Sequence, residues 1–536
     1  MSPLRPPEQV MRLERMGAFH QCRLSFMRVL LRRLKAEGWR VTRPLFEIAA
    51  DGTGRAVYTA QGPERAYSLV CFAHDLADAD RSDRVIATRW DATFALHDGV
   101  PTEADLARLE ANVPRQEAGR IGPGELCLSR ANRSVRLFAH VVDALAAGRQ
   151  PDPLRVEAVG YLMRTTAVYG SGKFGAADRA RICDRPEFAA PFQPEMLTVW
   201  LIRSFVMDQV EAMAAARAPD TAVTLEPALR RRFGIGNSTG LGMAPFLVNH
   251  PALLHRWIAA RETALARVLD APVTPETIAG FEAARDRAAA NVAGWQSRHP
   301  AQAEKLAGLR ADMERLVAQP VESWGLLWTW AQAALSVEGQ EMLVSLMMEP
   351  HGHLVDDLAD GMAADEAACF AIDGAMSVAD LRAIVARVHP GAPQGAPARI
   401  WFTSADKMEP RLGAACPELE PYAQPLTCAR DAARLRAALA GATGAVADFL
   451  IAHPEHRHAV RRAQIAARHP YAEIRDDLAA GDLRPFDMLR AKLSFFGAGR
   501  FDPRSDRWLR IEMFRGAPYP EELPACGAEP WAGLPQ

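Results

Sequence analysis

Lysine is nearly missing from this chain. Only five of its 63 basic residues are lysine, at positions 35, 173, 305, 407 and 492, and all the others are arginine. The bias toward arginine and alanine is that of a GC-rich bacterial coding sequence, so a lysine inside a distinctive loop stands out. Paired cysteines are missing too. Cys22, Cys71, Cys127, Cys183, Cys369, Cys416, Cys428 and Cys526 include no CxxC pair, which argues against a zinc ribbon, an iron–sulfur motif and a thioredoxin-type site. They read as reduced thiols of a cytosolic protein. Long apolar runs are lacking as well. The stretch from Met196 to Val206 is interrupted by Arg203 and followed by Asp208 and Glu211, too short and too charged to span a bilayer. Met1-Ser2-Pro3-Leu4-Arg5 leads into no apolar segment of the signal-peptide kind. A net charge of −2 gives no global field toward nucleic acid or an acidic membrane. The expectation is a cytoplasmic protein with neither partner; the sequence sets no oligomeric state.

What is present is an ordinary globular composition, 49% apolar and 24% charged over 536 residues, enough for two or three domains. Apolar residues from Leu13 to Leu34 recur at helical spacing, predicting one helix over about 8–37 that stops at Gly38. Strands are expected at 40–48, 56–59, 66–72 and 84–90, with a hairpin turn at Asp51-Gly52-Thr53-Gly54. Helices dominate afterwards. Thr102 and Asp105 have capping-box spacing. The segment Met196 to Arg217 reads as a buried helix, and Thr274-Pro275 as a helix start. A stripe through Trp324, Trp328 and Leu335 continues toward Met348. The Pro- and Gly-rich run 389–397 reads as a linker, followed by strand signals at 399–403, 492–496 and 508–514. The fold class expected is α+β, predominantly helical, with a small antiparallel sheet near the N-terminus and further strands near the C-terminus. The segments are 1–100 (helix plus sheet), 101–388 (mainly helical, carrying the glycine-rich loops) and 398–536 (mixed).

Two glycine-rich segments carry the functional reading. The first is Tyr169-Gly170-Ser171-Gly172-Lys173-Phe174-Gly175, preceded by Arg164, Thr165 and Thr166. Lys173 there can contact an anion, or form a Schiff base if burial lowers its pKa. The second runs from Phe233 to Met243 and contains Gly236, Asn237, Ser238, Thr239 and Gly240 after three arginines. Glycines let backbone N–H groups approach a bound oxygen, and the hydroxyls and amide add donors. Neither segment has Walker A or dinucleotide spacing. The alternative is that both are ordinary connecting loops.

Three other groupings could carry chemistry. His74, Asp75 and Asp91 fall at predicted strand ends, where an imidazole beside a carboxylate can transfer protons. Ser129 to Ser134 has polar groups at helix-start spacing, with Arg130 and Arg133 able to reach an anion. Glu349-Pro350-His351-Gly352-His353, followed by Asp356 and Asp357, is the best metal-like cluster. There is no Gly-x-Ser-x-Gly elbow and no His-Glu-x-x-His. The leading expectation is an enzyme acting on a small anionic metabolite. In that reading Tyr169, Gly170, Ser171, Gly172, Lys173, Arg164, Gly236, Asn237, Ser238, Thr239 and Gly240 form the site, and Lys173, His74, Asp75 and Asp91 perform the chemistry. The alternatives are a metal-dependent enzyme centred on His351 and His353, for which a divalent metal is the one cofactor the residues suggest, and a non-catalytic helical scaffold.

Overall fold

The structure, a computed structural model, describes residues 3–77, 90–112, 122, 124–165, 182, 184–237, 251–297, 300–362, 371–389, 400–402, 410–412, 424–425, 428–473, 484–503 and 509–531. Among these residues the chain is α+β and predominantly helical. Strands β1 (Arg40–Ile48), β2 (Gly54–Gln61), β3 (Ala66–Ala73), β4 (Ala92–Asp98), β5 (Glu125–Arg133), β6 (Tyr161–Thr165) and β7 (Gly234–Asn237) lie side by side in chain order. Strands β8 (Ile400–Phe402), β9 (Pro410–Leu412) and β10 (Gln424–Pro425) form a separate small sheet. Strands β11 (Ala498–Pro503) and β12 (Leu509–Met513) return to the large one, giving the order β1-β2-β3-β4-β5-β6-β7-β12-β11. The sheet thus draws strands from all three segments read in the sequence.

Neighbours in the large sheet are antiparallel except β6 and β7, which run parallel. A parallel pair cannot be joined by a hairpin and needs a long crossover. The helix Gln193–Arg217 lies within that crossover and packs across the sheet, its Phe205 ring edge-on to Tyr58 and Phe94. The same helix buries Arg203, whose guanidinium donates to Phe233 O at 2.7 Å and Ala517 O at 2.8 Å. This ties the approach to β7 to the chain beyond β12. On the other face, Val57, Val70, Phe72, Ala95 and Leu128 meet Leu106 and Leu109 of the helix Glu103–Asn112. Thr102 and Asp105 cap that helix reciprocally, Asp105 N donating to Thr102 Oγ1 and Thr102 N to Asp105 Oδ2. With both faces covered, β3, β4 and β5 are buried along nearly their whole length. The edge strand β1 is largely exposed and shifts register between Thr42 and Leu45, around Pro44, where a missing N–H does no harm.

A second, smaller core joins the helices Val378–Val388, Cys428–Leu439, Val446–Ala452 and Arg457–Arg468 through Val378, Leu381, Leu435, Phe449 and Val460. It meets the main body at Ala252, Ile465 and Ala472. Tyr471 strengthens the joint by donating from its hydroxyl to Arg5 O at 2.6 Å.

Several elements differ from the sequence reading. The expected 8–37 helix is three pieces, Pro7–Val10, Leu13–Met16 and Phe26–Ala36. Gly17 breaks it because the helix Pro485–Phe496 passes so close that a Cβ at Gly17 would lie 2.1 Å from Arg490 Cβ. The stripe toward Met348 is two helices, Trp324–Ala334 and Val337–Met348. They part at Ser336, which Asp312 holds through both its N–H and its hydroxyl. Lys492 to Phe496, read as a strand, is the end of a helix opened by Pro485 and closed by Gly497 at φ 82°. Ser129 to Ser134 does not start a helix, since β5 runs through Arg133. Of the strand expected at 84–90, residues 84–89 lie outside the described residues, as does most of the 389–397 linker.

Candidate functional site

The parallel pair β6–β7 is the place where the two glycine-rich segments begin. Arg164 in β6 stands opposite Gly236 in β7, so both chains leave the sheet from neighbouring strands in the same direction. Tyr169, Gly170, Ser171, Gly172 and Lys173 lie outside the described residues, as do Ser238, Thr239 and Gly240. The portion of the second segment that is described, Gly234-Ile235-Gly236-Asn237, is a buried strand in the sheet interior rather than a loop. Its glycines have packing reasons. A Cβ at Gly236 would lie 2.7–2.9 Å from three ring carbons of Tyr161, and one at Gly234 would lie 2.8 Å from Met513 O.

Register places a set of polar side chains on one face of the sheet. Phe72 pairs with Thr93, Thr93 with Arg130, and Asn132 with Arg164. Directly opposed residues share a face, as do residues two apart along a strand. His74, Thr93, Arg130, Asn132 and Arg164 therefore form a stripe on the face turned away from the Gln193–Arg217 helix, bordering the apolar patch under Leu106 and Leu109. Thr93, Asn132 and Arg164 are buried, while Arg130 and His74 are partly exposed. The Arg130 guanidinium lies 4.7 Å from the Trp90 ring centroid. With strands ~4.8 Å apart, His74 in register beyond β3 and Arg164 in β6 are roughly 14 Å apart between backbones. That is a span a small molecule and two long side chains can bridge.

His74 Nε2 lies 3.1 Å from Thr93 Oγ1, rather than against either carboxylate. Burial pulls its pKa below the ordinary histidine value, with Asp91 and Glu110 opposing, so at neutral pH the ring is neutral and able to accept a proton. Asp91 is fully buried and serves the backbone. Its Oδ2 accepts from Arg133 N at 2.9 Å, and its carbonyl accepts from His74 N at 2.8 Å. It fixes the ends of β3, β4 and β5 together. Asp75 is exposed beside them.

Asn237 takes the opposite face, in step with Thr165, whose hydroxyl is 2.5 Å from Ser129 Oγ. Asn237 is 1% exposed, and neither its Oδ1 nor its Nδ2 has a hydrogen-bond partner; the Tyr161 hydroxyl is likewise without one. A buried amide with both ends unsatisfied is costly, and such groups call for a bound water or ligand.

His351 and His353 sit elsewhere, after the helix Val337–Met348. His351 is buried, donates from Nδ1 to Met347 O at 2.7 Å, and meets the Trp324 ring edge-on. The carboxylates that would complete a metal shell are held by arginines. Glu349 is gripped by Arg28 at 2.7 and 2.8 Å, Asp356 by Arg23 at 2.6 and 2.7 Å, and Asp357 by Arg267 at 2.7 Å. Among the described residues no group of three or more His, Cys, Asp or Glu is arranged to hold a metal ion.

Sequence reasoning missed one group. Lys492 is wholly buried in the helix Pro485–Phe496, and burial pulls its ammonium down to about 7. The scarcity of lysine was the signal that singled it out. Among the described residues no helix is long and apolar enough to cross a membrane. No protein-family model matches the chain, and no curated protein and no solved structure matches it significantly.

Proposed function

We propose that the protein is a cytoplasmic enzyme acting on a small anionic metabolite, a carboxylate or a phosphate, bound on the sheet face that carries Arg130, Asn132 and Arg164. The observation that carries this reading is the register. It aligns two guanidinium groups, an amide and an imidazole on one face, next to the strands from which both glycine-rich segments depart. Arginine suits oxyanions because its planar fork offers paired donors. Asn132 orients the ligand, and His74, neutral through burial, takes or returns a proton through the Thr93 side of the stripe. Lys173 adds a second positive charge from the first glycine-rich segment. The buried, unreacted thiols Cys22, Cys71 and Cys127 fit a reducing compartment.

The test is thermal denaturation of the full chain with inorganic phosphate and with succinate. One of the two anions is expected to raise the melting midpoint. Arg130→Gln and Lys173→Ala are each expected to weaken that response by more than the ~1 kcal/mol of an exposed ion pair. No response to either anion, or unchanged affinity in both variants, defeats the proposal.

A further inference from the structure

A cleft of about 540 Å³ separates the N-terminal helix Pro7–Val10 from the second helical core, and it shares no lining residue with the β6–β7 region. One wall comes from the main body, through Glu8, Met11 and Arg12; the other comes from Arg387, Val388 and Ala466 of the second core. Cavities of this size at the junction of two cores are where small ligands are most often held.

The charges around the cleft are arranged rather than mixed. Glu473 lines it and is 95% shielded from solvent, with Arg462 Nε no nearer than 3.9 Å to its carboxylate. Two helices also end there. Arg387 and Val388 are the last residues of Val378–Val388, and Ala466 lies in the last turn of Arg457–Arg468. Helix C-termini carry partial negative charge from unsatisfied carbonyls. A buried carboxylate and two helix C-termini together make an environment for a cation. On the rim the sign reverses, because Arg12 and Arg387 are exposed and line the same cleft. Met11 and Val388 supply apolar wall between the two ends.

We propose that this cleft binds a small zwitterion of the α-amino-acid kind, its ammonium toward Glu473 and the two helix ends, its carboxylate toward Arg12 and Arg387. Neither charge alone suffices, since an anion would meet Glu473 and a simple amine would leave the rim arginines unused. The ligand would span the main body and the second core, so occupancy would couple them.

The experiment is thermal denaturation of the full chain with each of the twenty L-amino acids at millimolar concentration. It is repeated with the N-acetyl derivative of any amino acid that responds. At least one amino acid is expected to raise the melting midpoint, and its N-acetyl form to fail. Arg387→Ala and Glu473→Gln are each expected to weaken the affinity by about tenfold or more. Glu473 is buried and its replacement can impair folding, so the exposed pair Arg387→Ala and Glu8→Gln decides the matter in that event. The proposal is overturned if none of the twenty responds, if the acetylated form binds equally well, or if the response survives in the exposed variants.

Discussion

Glu341 sits at the centre of a buried charge cluster whose disruption has a calculable consequence. It has no solvent exposure and accepts from Arg261 NH1 and, at 3.0 Å, from Arg5 NH1. Arg5 in turn holds Glu262 through both of its oxygens, at 2.6 and 2.8 Å. The cluster is neutral, with two guanidinium groups and two carboxylates, all buried. Glu341→Ala removes one negative charge. Arg5 keeps Glu262, but Arg261 is left 2% exposed with only Glu341 O at 3.1 Å and Ser345 Oγ at 3.5 Å as acceptors. Stranding a buried charge in this way costs about 3–5 kcal/mol, a large part of the ~5–15 kcal/mol that holds a folded domain.

The assay is urea denaturation followed by tryptophan fluorescence. Trp328 and Trp257, whose ring centroids are 5.3 and 5.9 Å from the Arg5 and Arg261 guanidiniums, report locally. The second arm is Arg261→Met/Glu341→Met. It restores neutrality with apolar groups and is expected to recover much of the loss, because a buried pair contributes little beyond a well-packed apolar replacement. A loss below ~1 kcal/mol for Glu341→Ala, the value of an exposed pair, would refute the reasoning. So would a double variant as unstable as the two single losses added together. Acid provides an independent check. Burial pushes the Glu341 carboxyl up, but Arg261 and Arg5 together hold it below its ordinary value. Its contribution is therefore present above the unfolded carboxylate range and disappears as pH falls through the lower folded value.

Two further outcomes are expected. Gly236→Ala should destabilise by about 1–3 kcal/mol, the cost of overpacking, since the new methyl meets the Tyr161 ring. In a double-variant cycle most of that penalty should vanish in a Tyr161→Ala background, and strict additivity would show that the ring is not the obstacle. His255 is held down to about 4 by burial, then by His469 and Arg256, and its Nδ1 accepts from Tyr471 N at 3.2 Å. The unfolded chain therefore takes up that proton first, and stability falls as pH drops from about 6.5 toward 4. His255→Gln should lose less in melting midpoint between neutral and acid pH than the parent, and equal losses would count against the assignment.

Local signals were legible where a side chain closes its own structure. Thr102 with Asp105 and Thr274 with Thr277 cap helices as their spacing predicts, and the Asp51–Gly54 turn joins β1 to β2. Errors fell where distant chain intervened. Gly17 is an N-terminal glycine with no local reason to end a helix; the reason is Arg490, far along the sequence. Leu493, Phe495 and Phe496 make a short apolar run that fits a strand or a helix alike, and only Pro485 and Gly497 identify it as helix. The return of β11 and β12 beside β7 is set by pairing that composition does not encode.

The site shows the same division at finer grain. Arg164 and Gly236 were each visible as part of an anion-binding pattern, but their being opposite one another depends on a parallel pairing made by a crossover of nearly seventy residues. Once that pairing exists, alternation along the strands does the rest. Arg130 and Asn132 must share a face, and Arg164 must join them through Asn132. His74 must lie on that face too, two residues beyond Phe72. The same alternation sends Asn237 to the other side, although it directly follows Gly236 in the glycine-rich segment. A contiguous sequence motif is therefore split between two faces of the sheet, while residues from four separate strands are gathered on one. A ligand on the stripe can be held by Arg130 and Arg164 without touching Asn237. If Asn237→Ala abolished anion binding while Arg130→Gln did not, the ligand would belong on the helix-covered face and the stripe would lose its role.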